Sequence, residues 1–318
     1  MSATTSFTGD LVGAPNGYAT PAARPTLGEA RAFCKHLAET HYENFHVATW
    51  FLPARLRPHF ESIYAYCRVS DDLGDEVPDR ALALKLLEEW RWMLDECFDA
   101  PERSRHPVYV ALAETIRACS LPKEPFAALL RAFVQDQTKT HYNSLAELES
   151  YSRDSANPVG RLVLYASGYR DEAMCLLSDQ ICTALQLANF WQDVIEDTER
   201  GRRYLPADQM QRFSVTDEQV ASRRFDGNFR ALMEFLVSDA RARLERGSAL
   251  PGMVEPELGA TLELFSKGGH AILDAIVAQD YDVLRTRPVV TKTKKAALLS
   301  SALLGKAGAT LRRAGGAR

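Results

Sequence analysis

Apolar residues recur three and four positions apart along most of this chain, and that spacing predicts α-helices. No segment alternates apolar and polar residues as a half-buried β-strand would. The helical pattern starts near Thr26, and Pro78 and Gly201 are expected to end two of the helices. The predicted helices cover 27–40, a stretch ending at Pro78, 80–98, 106–119, 125–138, 144–152, 171–199, 217–221, 228–247 and 255–284. The predicted fold class is therefore all-α.

Composition divides the chain into three parts. Residues 1–26 are rich in Gly, Pro, Ala, Ser and Thr and predict a flexible N-terminal lead. Residues 27–290 contain no repeat and no linker, which favours a single all-α domain. Residues 291–318 form a basic C-terminal tail.

The basic character begins shortly before that tail. After Asp282 no acidic residue follows, whereas nine basic residues do: Arg285, Arg287, Lys292, Lys294, Lys295, Lys306, Arg312, Arg313 and Arg318. Two interpretations stay open. One is a solvated, partly disordered tail, and the other is peripheral contact with anionic membrane lipid.

The overall charge and the cysteines restrict the class of protein. The chain has 318 residues, a net charge of −4 and no basic field that would recruit nucleic acid. Its six cysteines form no CxxC pair and are expected to be reduced, and no apolar leader or membrane-spanning run is present. We expect a cytoplasmic protein, or one peripheral to the inner membrane.

Carboxylates cluster in the stretch YAYCRVSDDLGDE, residues 64–76. On a helix, Tyr64, Arg68, Asp71 and Asp75 fall within about 60° of one another, and Asp72 lies beside them. We call these five residues the first acidic face. Because aligned carboxylates repel one another, the pattern indicates compensation by divalent cations.

A second polar stripe follows in the long helix predicted for 171–199. Gln186, Asn189, Asp193 and Asp197 are spaced 3, 4 and 4 residues apart on a helix that is otherwise apolar. We call these four residues the second acidic face. Either stripe alone is typical of a solvated helix surface, but the two together are more informative.

Two acidic faces opposed across a helical bundle would hold Mg²⁺ through one or two carboxylates each, and would leave positions for diphosphate oxygens. The chemistry indicated is ionisation of an allylic or similarly stabilised diphosphate in an apolar pocket. The chain lacks HExxH, a Walker-type loop and a strand-following GxGxxG, so no NAD(P)H site is inferred.

At these residues the sequence resembles the squalene and phytoene synthase family over about residues 30–290. The similarity is carried by YAYCRVSDDLGDE, by LQLANFWQDVIEDTERGRRYLP at 185–206 and by FSKGGHAILDAIVAQDY at 265–281. The resemblance implies a single all-α isoprenoid-synthase bundle with a central cavity, a prenyl diphosphate substrate and two or three Mg²⁺ ions. It implies metal ligation by Asp71, Asp72, Asp75, Asp193 and Asp197, catalytic roles for Tyr64, Arg68 and Tyr204, and substrate binding by Gln186 and Asn189. Further candidates for substrate binding are Arg161, Arg203 and Phe45.

Two departures from the family pattern narrow the expected reaction. Condensing members usually read NxxRDxxxD, whereas this chain has Gln192 before Asp193, and the VAGxVG segment is SANPVG at 155–160. Both variants resemble the bacterial hopanoid branch. There, hydroxysqualene synthase ionises presqualene diphosphate and water captures the rearranged cation, and association with other enzymes of that pathway is implied. A neutral residue at 192 is expected to weaken binding of a second diphosphate.

Alternative roles stay open at this point. The chain could instead condense two farnesyl or geranylgeranyl diphosphates head to head, or bind a prenyl diphosphate without turning it over. Arg68 could form only a surface pair with Asp71 or Asp72, and Tyr204 could be only a packing residue. Diphosphate contact and solvent exposure are both open for Arg161 and Arg203, as are core and cation-facing positions for Phe45.

Overall fold

The computed structural model describes residues 7–40 and 52–298, and over these ranges it is helical without a β-strand. The all-α prediction is confirmed. Thirteen α-helices are described, with short 3₁₀ turns at Pro101–Arg103 and Leu250–Met253. They are α1 Leu27–Thr40, α2 Arg57–Asp75, α3 Arg80–Asp99, α4 Pro107–Cys119, α5 Glu124–Asp136, α6 Leu145–Ser155, α7 Asn157–Ala166, α8 Glu172–Gln192, α9 Val194–Glu199, α10 Ala207–Arg212, α11 Asp217–Ala221, α12 Gly227–Gly247 and α13 Pro256–Ala278.

Two predicted helices end earlier than their apolar periodicity suggests. The helix expected over 171–199 is interrupted at Asp193, which has φ −103° and ψ 16° and separates α8 from α9. The helix expected over 255–284 ends at Ala278, because Asp280 and Tyr281 both adopt left-handed backbone conformations. Gly201 ends α9 with φ +73°, as the sequence predicts.

The chain forms two compact units. The first comprises Met1–Thr138 and Arg161–Tyr169, and the second comprises Lys139–Gly160 and Arg170–Arg318. The first acidic face belongs to the first unit, and the second acidic face belongs to the second.

Buried aromatic residues hold α2 in the first unit. The Tyr66 hydroxyl donates to the carbonyl of Phe126 over 2.8 Å, and the Trp90 indole N–H donates to Ser70 Oγ over 2.9 Å. The Tyr109 hydroxyl donates to the carbonyl of Trp90. Each of these buried polar groups therefore has a partner, and one side of α2 is fixed against the helices around it.

Residues 7–26 pack onto the first unit instead of forming the predicted flexible lead. Leu11 and Tyr18 are fully buried, and the Asp10 backbone N–H donates to Glu89 Oε1 over 3.0 Å. Arg105 forms an ion pair with the Asp10 carboxylate. Residues 1–6 of the predicted lead lie outside the described part of the chain.

Helix α8 is central to the second unit, where α12 and α13 pack against it. The first turn of α7 crosses α8 closely at Gly160, where an added Cβ would lie 2.3 Å from Ser178 Oγ and 2.6 Å from Cys182 Sγ. The Thr183 hydroxyl donates to Asn157 Oδ1 over 2.9 Å in the same contact. Part of the SANPVG segment thus fixes α8 shortly before Gln186.

All six cysteines are free thiols, as the sequence predicts. Within the described ranges, every helix is too short or too polar to cross a bilayer. The basic tail is described only as far as residue 298, so the interpretation of its remaining residues as a membrane contact falls outside the described part and stays a prediction.

Candidate active site

The first acidic face lies on the last three turns of α2. Arg68 is half-buried there and bridges two carboxylates of its own helix. Its Nη1 donates to Asp71 Oδ2 over 3.5 Å, and its Nε donates to Asp72 Oδ2 over 3.1 Å. Arg68 Nη2 donates to the second oxygen of Asp72, which makes the contact bidentate.

Asp72 is a buried carboxylate, with only 1% of its side chain exposed. Besides Arg68, it accepts the Tyr18 hydroxyl over 2.6 Å and the Asn16 side-chain amide over 3.4 Å. Burial of the Tyr18 hydroxyl, together with the facing Asp72 carboxylate, raises the pKa of Tyr18. Burial disfavours the charge of Arg68, but the contact with Asp72 outweighs it and raises the pKa of Arg68.

The two neighbouring aspartates are much more open to solvent. The Asp71 side chain is 45% exposed, and Asp75 is exposed at the end of α2. Tyr64 is half-buried on the same side of the helix. The face therefore divides into open carboxylates at 71 and 75 and an inner carboxylate at 72 that holds Arg68. The Arg68–Asp72 contact is not the surface pair considered from the sequence, since Asp72 is buried.

The second acidic face crosses the junction of α8 and α9 without losing its alignment. The Asp193 backbone N–H donates to the carbonyl of Asn189 over 2.9 Å, and the Asp197 backbone N–H donates to the carbonyl of Asp193 over 2.8 Å. The three side chains therefore stay one helical turn apart on one side. Asn189 is exposed and Gln186 is half-buried.

The charge of Asp197 on this face is disfavoured by its surroundings. Burial, and then the nearby Asp193 carboxylate, raise the pKa of Asp197 to about 7, while Arg202 and Arg200 act in the opposite direction. The Asp193 side chain is itself only 14% exposed. Such a pair is the environment in which a bound cation would be most stabilising.

Gln192 is buried beside this face and is bonded to a distant segment. Its Nε2 donates to the carbonyl of Pro288 over 2.5 Å, and its Oε1 accepts Arg287 Nη2 over 3.2 Å. Arg287 Nε donates to Asp193 Oδ1 over 2.5 Å. The sequence indicates that position 192 has lost the arginine charge of the family, but in the structure Arg287 brings a guanidinium to the same carboxylate.

Tyr204 stacks on α8 directly next to the second acidic face. The centroid of its ring lies 3.8 Å from the ring centroid of Phe190, with an interplanar angle of 7°. The distance from the Tyr204 ring centroid to that of Tyr142 is 5.5 Å. Tyr204 and Phe190 are both buried. Packing thus fixes the position of the Tyr204 ring, and its catalytic role stays a prediction.

The remaining predicted site residues have different surroundings. The Arg203 guanidinium pairs with Asp217, and its backbone N–H donates to the carbonyl of Thr140 over 2.7 Å. Arg161 is half-buried in α7, one residue after Gly160. Phe45 lies outside the described residues. Diphosphate binding by these residues stays a prediction.

The donor set fits Mg²⁺ bound together with a diphosphate. In 7–40 and 52–298, no three His, Cys, Asp or Glu side chains converge to hold an ion by themselves. Mg²⁺ is usually held by one or two carboxylates and completes its coordination with water and substrate phosphates. Each face by itself supplies such carboxylates: Asp71 and Asp75 on the first acidic face, and Asp193 and Asp197 on the second. Both carboxylate oxygens of Asp72 accept hydrogen bonds within the protein, from Arg68 and Tyr18, and its ligation of a metal stays a prediction.

The sequence patterns did not identify three residues that contact these faces. Tyr18 and Asn16 reach Asp72 from the N-terminal segment, and Arg287 reaches Asp193 from the basic segment after α13. A tyrosine within a Gly- and Pro-rich stretch is the one signal that could have identified Tyr18 as a packed residue. No local pattern marks Arg287 among its basic neighbours.

Comparison with known proteins gives one family. The model of squalene/phytoene synthases matches residues 38–294. Among curated proteins, phytoene synthase from Arthrospira platensis is 29% identical over 302 residues, which cover 90% of this chain and 95% of that protein. Phytoene synthase 1 of Zea mays is 29% identical over 282 residues, covering 86% of this chain and 67% of that protein.

Solved structures agree with this family. The crystal structure of squalene synthase HpnC from Alicyclobacillus acidocaldarius superposes with a TM-score of 0.76 at 40% identity, covering 80% of this chain and 95% of that one. A dehydrosqualene synthase crystallised with a ligand superposes with a TM-score of 0.79 at 23% identity, covering 87% of this chain and 96% of that one, and supports the fold.

Proposed function

Because this chain belongs to the squalene/phytoene synthase family, whose members act on prenyl diphosphates, we propose that it converts presqualene diphosphate to hydroxysqualene with Mg²⁺. In this reaction the bond between carbon and the diphosphate oxygen breaks, and the electron pair leaves with the diphosphate. The cation rearranges, a water oxygen bonds to carbon, and the water loses a proton. No oxidant or reductant is required.

The observation that carries this proposal is the likeness to squalene synthase HpnC. Identity with that protein is 40%, compared with 29% for the phytoene synthases named above. The name of that neighbour points to squalene chemistry, and thus to a C30 product. The hydroxysqualene step itself rests on the sequence variants at Gln192 and at 155–160.

The residues of each face have distinct tasks in the proposed reaction. Arg68 is held by Asp72 and would orient the leaving diphosphate through its remaining hydrogen-bond capacity. Asp71 and Asp75 would hold Mg²⁺ on the first acidic face, Asp193 and Asp197 would hold Mg²⁺ on the second, and Gln186 and Asn189 would bind diphosphate oxygens. When bound, Mg²⁺ would neutralise the charge that builds up on the leaving group. The Tyr204 ring, fixed by Phe190, would contribute an aromatic face near the cation.

Head-to-head condensation of two farnesyl or geranylgeranyl diphosphates is the second candidate. Two observations favour it. The curated relatives named above are phytoene synthases. In addition, Arg287 brings a guanidinium to Asp193, so the absence of arginine at 192 does not by itself remove a diphosphate-binding charge. A protein that only binds the diphosphate is the third candidate.

One substrate comparison separates the three candidates. The full-length protein is incubated with Mg²⁺ in H₂¹⁸O and given presqualene, farnesyl or geranylgeranyl diphosphate in parallel. A C30 alcohol that carries ¹⁸O, formed from presqualene diphosphate alone, is the expected result. Unchanged presqualene diphosphate would overturn the proposal. Turnover of farnesyl or geranylgeranyl diphosphate would establish condensation, and binding without any turnover would establish the third candidate.

A further inference from the structure

The segment after α13 turns back sharply towards the second acidic face. Asp280 and Tyr281 have φ values of +54° and +66°, a left-handed conformation that residues with side chains rarely adopt. An ion pair between Arg230 and Asp280 holds the turn. Val283 and Leu284 are buried directly after it. Packing therefore fixes the chain at residues 283 and 284, and Pro288 is buried again a short distance further along.

At the end of this segment, Arg287 contacts two carboxylates of the second unit. Its Nε lies 2.5 Å from Asp193 Oδ1 and 3.4 Å from Glu196 Oε2. The side chains of this pair are 38% exposed at Arg287 and 14% exposed at Asp193. The corresponding values are 25% at Arg68 and 1% at Asp72. Releasing Arg287 from Asp193 therefore leaves a partly solvated cation that still faces Glu196, which costs less than separating Arg68 from the buried Asp72 carboxylate.

Gln192 makes room for this guanidinium. It offers an acceptor oxygen to Arg287 and a donor N–H to the next residue, Pro288. Arginine at position 192 has no acceptor and would place a second positive charge beside Arg287. Glutamine at 192 and arginine at 287 thus form a matched pair, in which the cation is carried by a separate segment instead of by α8.

We propose that Arg287 is a substrate-binding residue that pairs with Asp193 before substrate binds and moves onto the diphosphate when a metal–diphosphate group takes over the Asp193 carboxylate. This rests on the proposed function, since it requires a diphosphate ligand. A planar guanidinium binds phosphate oxygens in pairs, and the exchange keeps Arg287 paired with an anion throughout. Arg287 competes with the bare metal ion and assists the metal–diphosphate group.

These two effects have opposite signs, so binding measurements can separate them without any turnover. The probes are Mn²⁺ alone, followed by electron paramagnetic resonance, and inorganic diphosphate titrated calorimetrically in the presence of Mn²⁺. For Arg287→Gln we expect about threefold or greater tightening of Mn²⁺ alone and about tenfold weakening of diphosphate, which is about 1.4 kcal/mol. Arg285→Gln is the matched control and should change neither, since Arg285 is 77% exposed and pairs with Asp282.

Two further variants test the pairing between positions 192 and 287, and a third tests whether the charge of Arg287 is sufficient. Gln192→Arg should weaken diphosphate binding by displacing Arg287, and the double variant Gln192→Arg with Arg287→Gln should recover most of that loss. Arg287→Lys keeps the charge and should retain the wild-type Mn²⁺ affinity while it binds diphosphate more weakly. Circular dichroism confirms folding of each variant.

The binding of Mn²⁺ and of diphosphate by Arg287→Gln decides the proposal. Unchanged binding of both probes by Arg287→Gln, or weakening of both, would overturn it, because weakening of both is the result expected for a purely structural residue. If the opposite shifts appear while wild-type protein leaves presqualene diphosphate unchanged, the role of Arg287 stands and the proposed reaction fails.

Discussion

Tyr18 donates its hydroxyl to the buried carboxylate of Asp72 over 2.6 Å, although 54 residues separate the two in sequence. The N-terminal segment thereby supports the carboxylate that orients Arg68 on the first acidic face. Tyr18→Phe removes one hydrogen bond to a buried anion and should lower the free energy of unfolding by about 1.5–3 kcal/mol. Tyr66→Phe is the matched control, since the Tyr66 hydroxyl donates to a neutral carbonyl, and should cost about 0.5–1.5 kcal/mol. Urea denaturation measures both. Equal losses would show that the charge of Asp72 does not strengthen the contact.

Asp72 and Asp75 should respond differently to the same substitution. Asp72→Asn leaves Arg68 without its buried counter-ion and should destabilise the protein by about 3 kcal/mol or more. Asp75→Asn changes an exposed side chain and should leave stability within about 0.5 kcal/mol while it lowers Mg²⁺-dependent turnover. Chemical denaturation and product formation are measured on each variant. A stable Asp72→Asn protein with weakened metal binding would assign Asp72 to the metal and contradict the positioning role.

Substitution of Asp197 by asparagine should lower turnover and raise stability. Its charge is buried near Asp193, so Asp197→Asn should stabilise the metal-free protein by about 1 kcal/mol after solvent screening is considered. Turnover should fall about 100-fold or more if the carboxylate holds the metal. Thermal melts with and without Mg²⁺ test both parts. Glu199→Gln, at an exposed ion pair with Arg223, is the control and should change stability and turnover little. Destabilisation by Asp197→Asn would show that its charge is compensated in the fold.

His106 should make the protein less stable in mild acid. Burial lowers the pKa of His106 from 6.5 to about 3 in the folded protein, whereas the unfolded chain keeps the ordinary value. Between these values only the unfolded chain binds the proton, so stability should fall as the pH drops from about 6.5 towards 3, by at most about 1.4 kcal/mol per pH unit. His106 Nδ1 accepts the Val108 N–H as the N-cap of α4, and asparagine can also cap. His106→Asn should flatten the slope of unfolding free energy against pH. Parallel slopes for the two proteins would contradict this origin.

Two substitutions of Tyr204 show whether its stacking on Phe190 serves stability or turnover. Tyr204→Phe preserves the stacked ring and should keep stability within about 0.5 kcal/mol, whereas Tyr204→Leu breaks the stack and should cost about 1–3 kcal/mol. If the hydroxyl takes part in turnover, as the resemblance implies, Tyr204→Phe should lower kcat by about tenfold or more. Steady-state kinetics decides the question. A fully active Tyr204→Phe protein would reduce Tyr204 to a packing residue.

Local patterns predicted those parts of the fold that depend on neighbouring residues. The apolar periodicity predicted α1 at Leu27–Thr40, and the spacing of four residues correctly placed Asn189, Asp193 and Asp197 on one side of the helix. A glycine marked the end of α9 at Gly201. Each of these features is set within one or two helical turns, where side-chain spacing and backbone preference are sufficient.

Features that depend on distant partners could not be predicted in this way. The burial of Tyr18 is determined by Asp72, and the conformation of 280–288 is determined by contacts with Arg230 and Gln192. Asp280 and Tyr281 turn the chain without glycine or proline, so the apolar periodicity continued past the true end of α13. The sequence shows only that position 192 is neutral, whereas the structure brings a guanidinium to Asp193 from position 287.

The left-handed turn at Asp280 and Tyr281 sets a practical limit for shortened versions of this protein. A chain ending at Ala278 would retain all thirteen described helices and could keep the helical signal of the full protein. It would nevertheless lack the residue that contacts Asp193, and the carbonyl that Gln192 binds. Affinity tags and fusion partners should therefore begin beyond residue 298, since a helical spectrum alone would not reveal that the second acidic face had lost its cation.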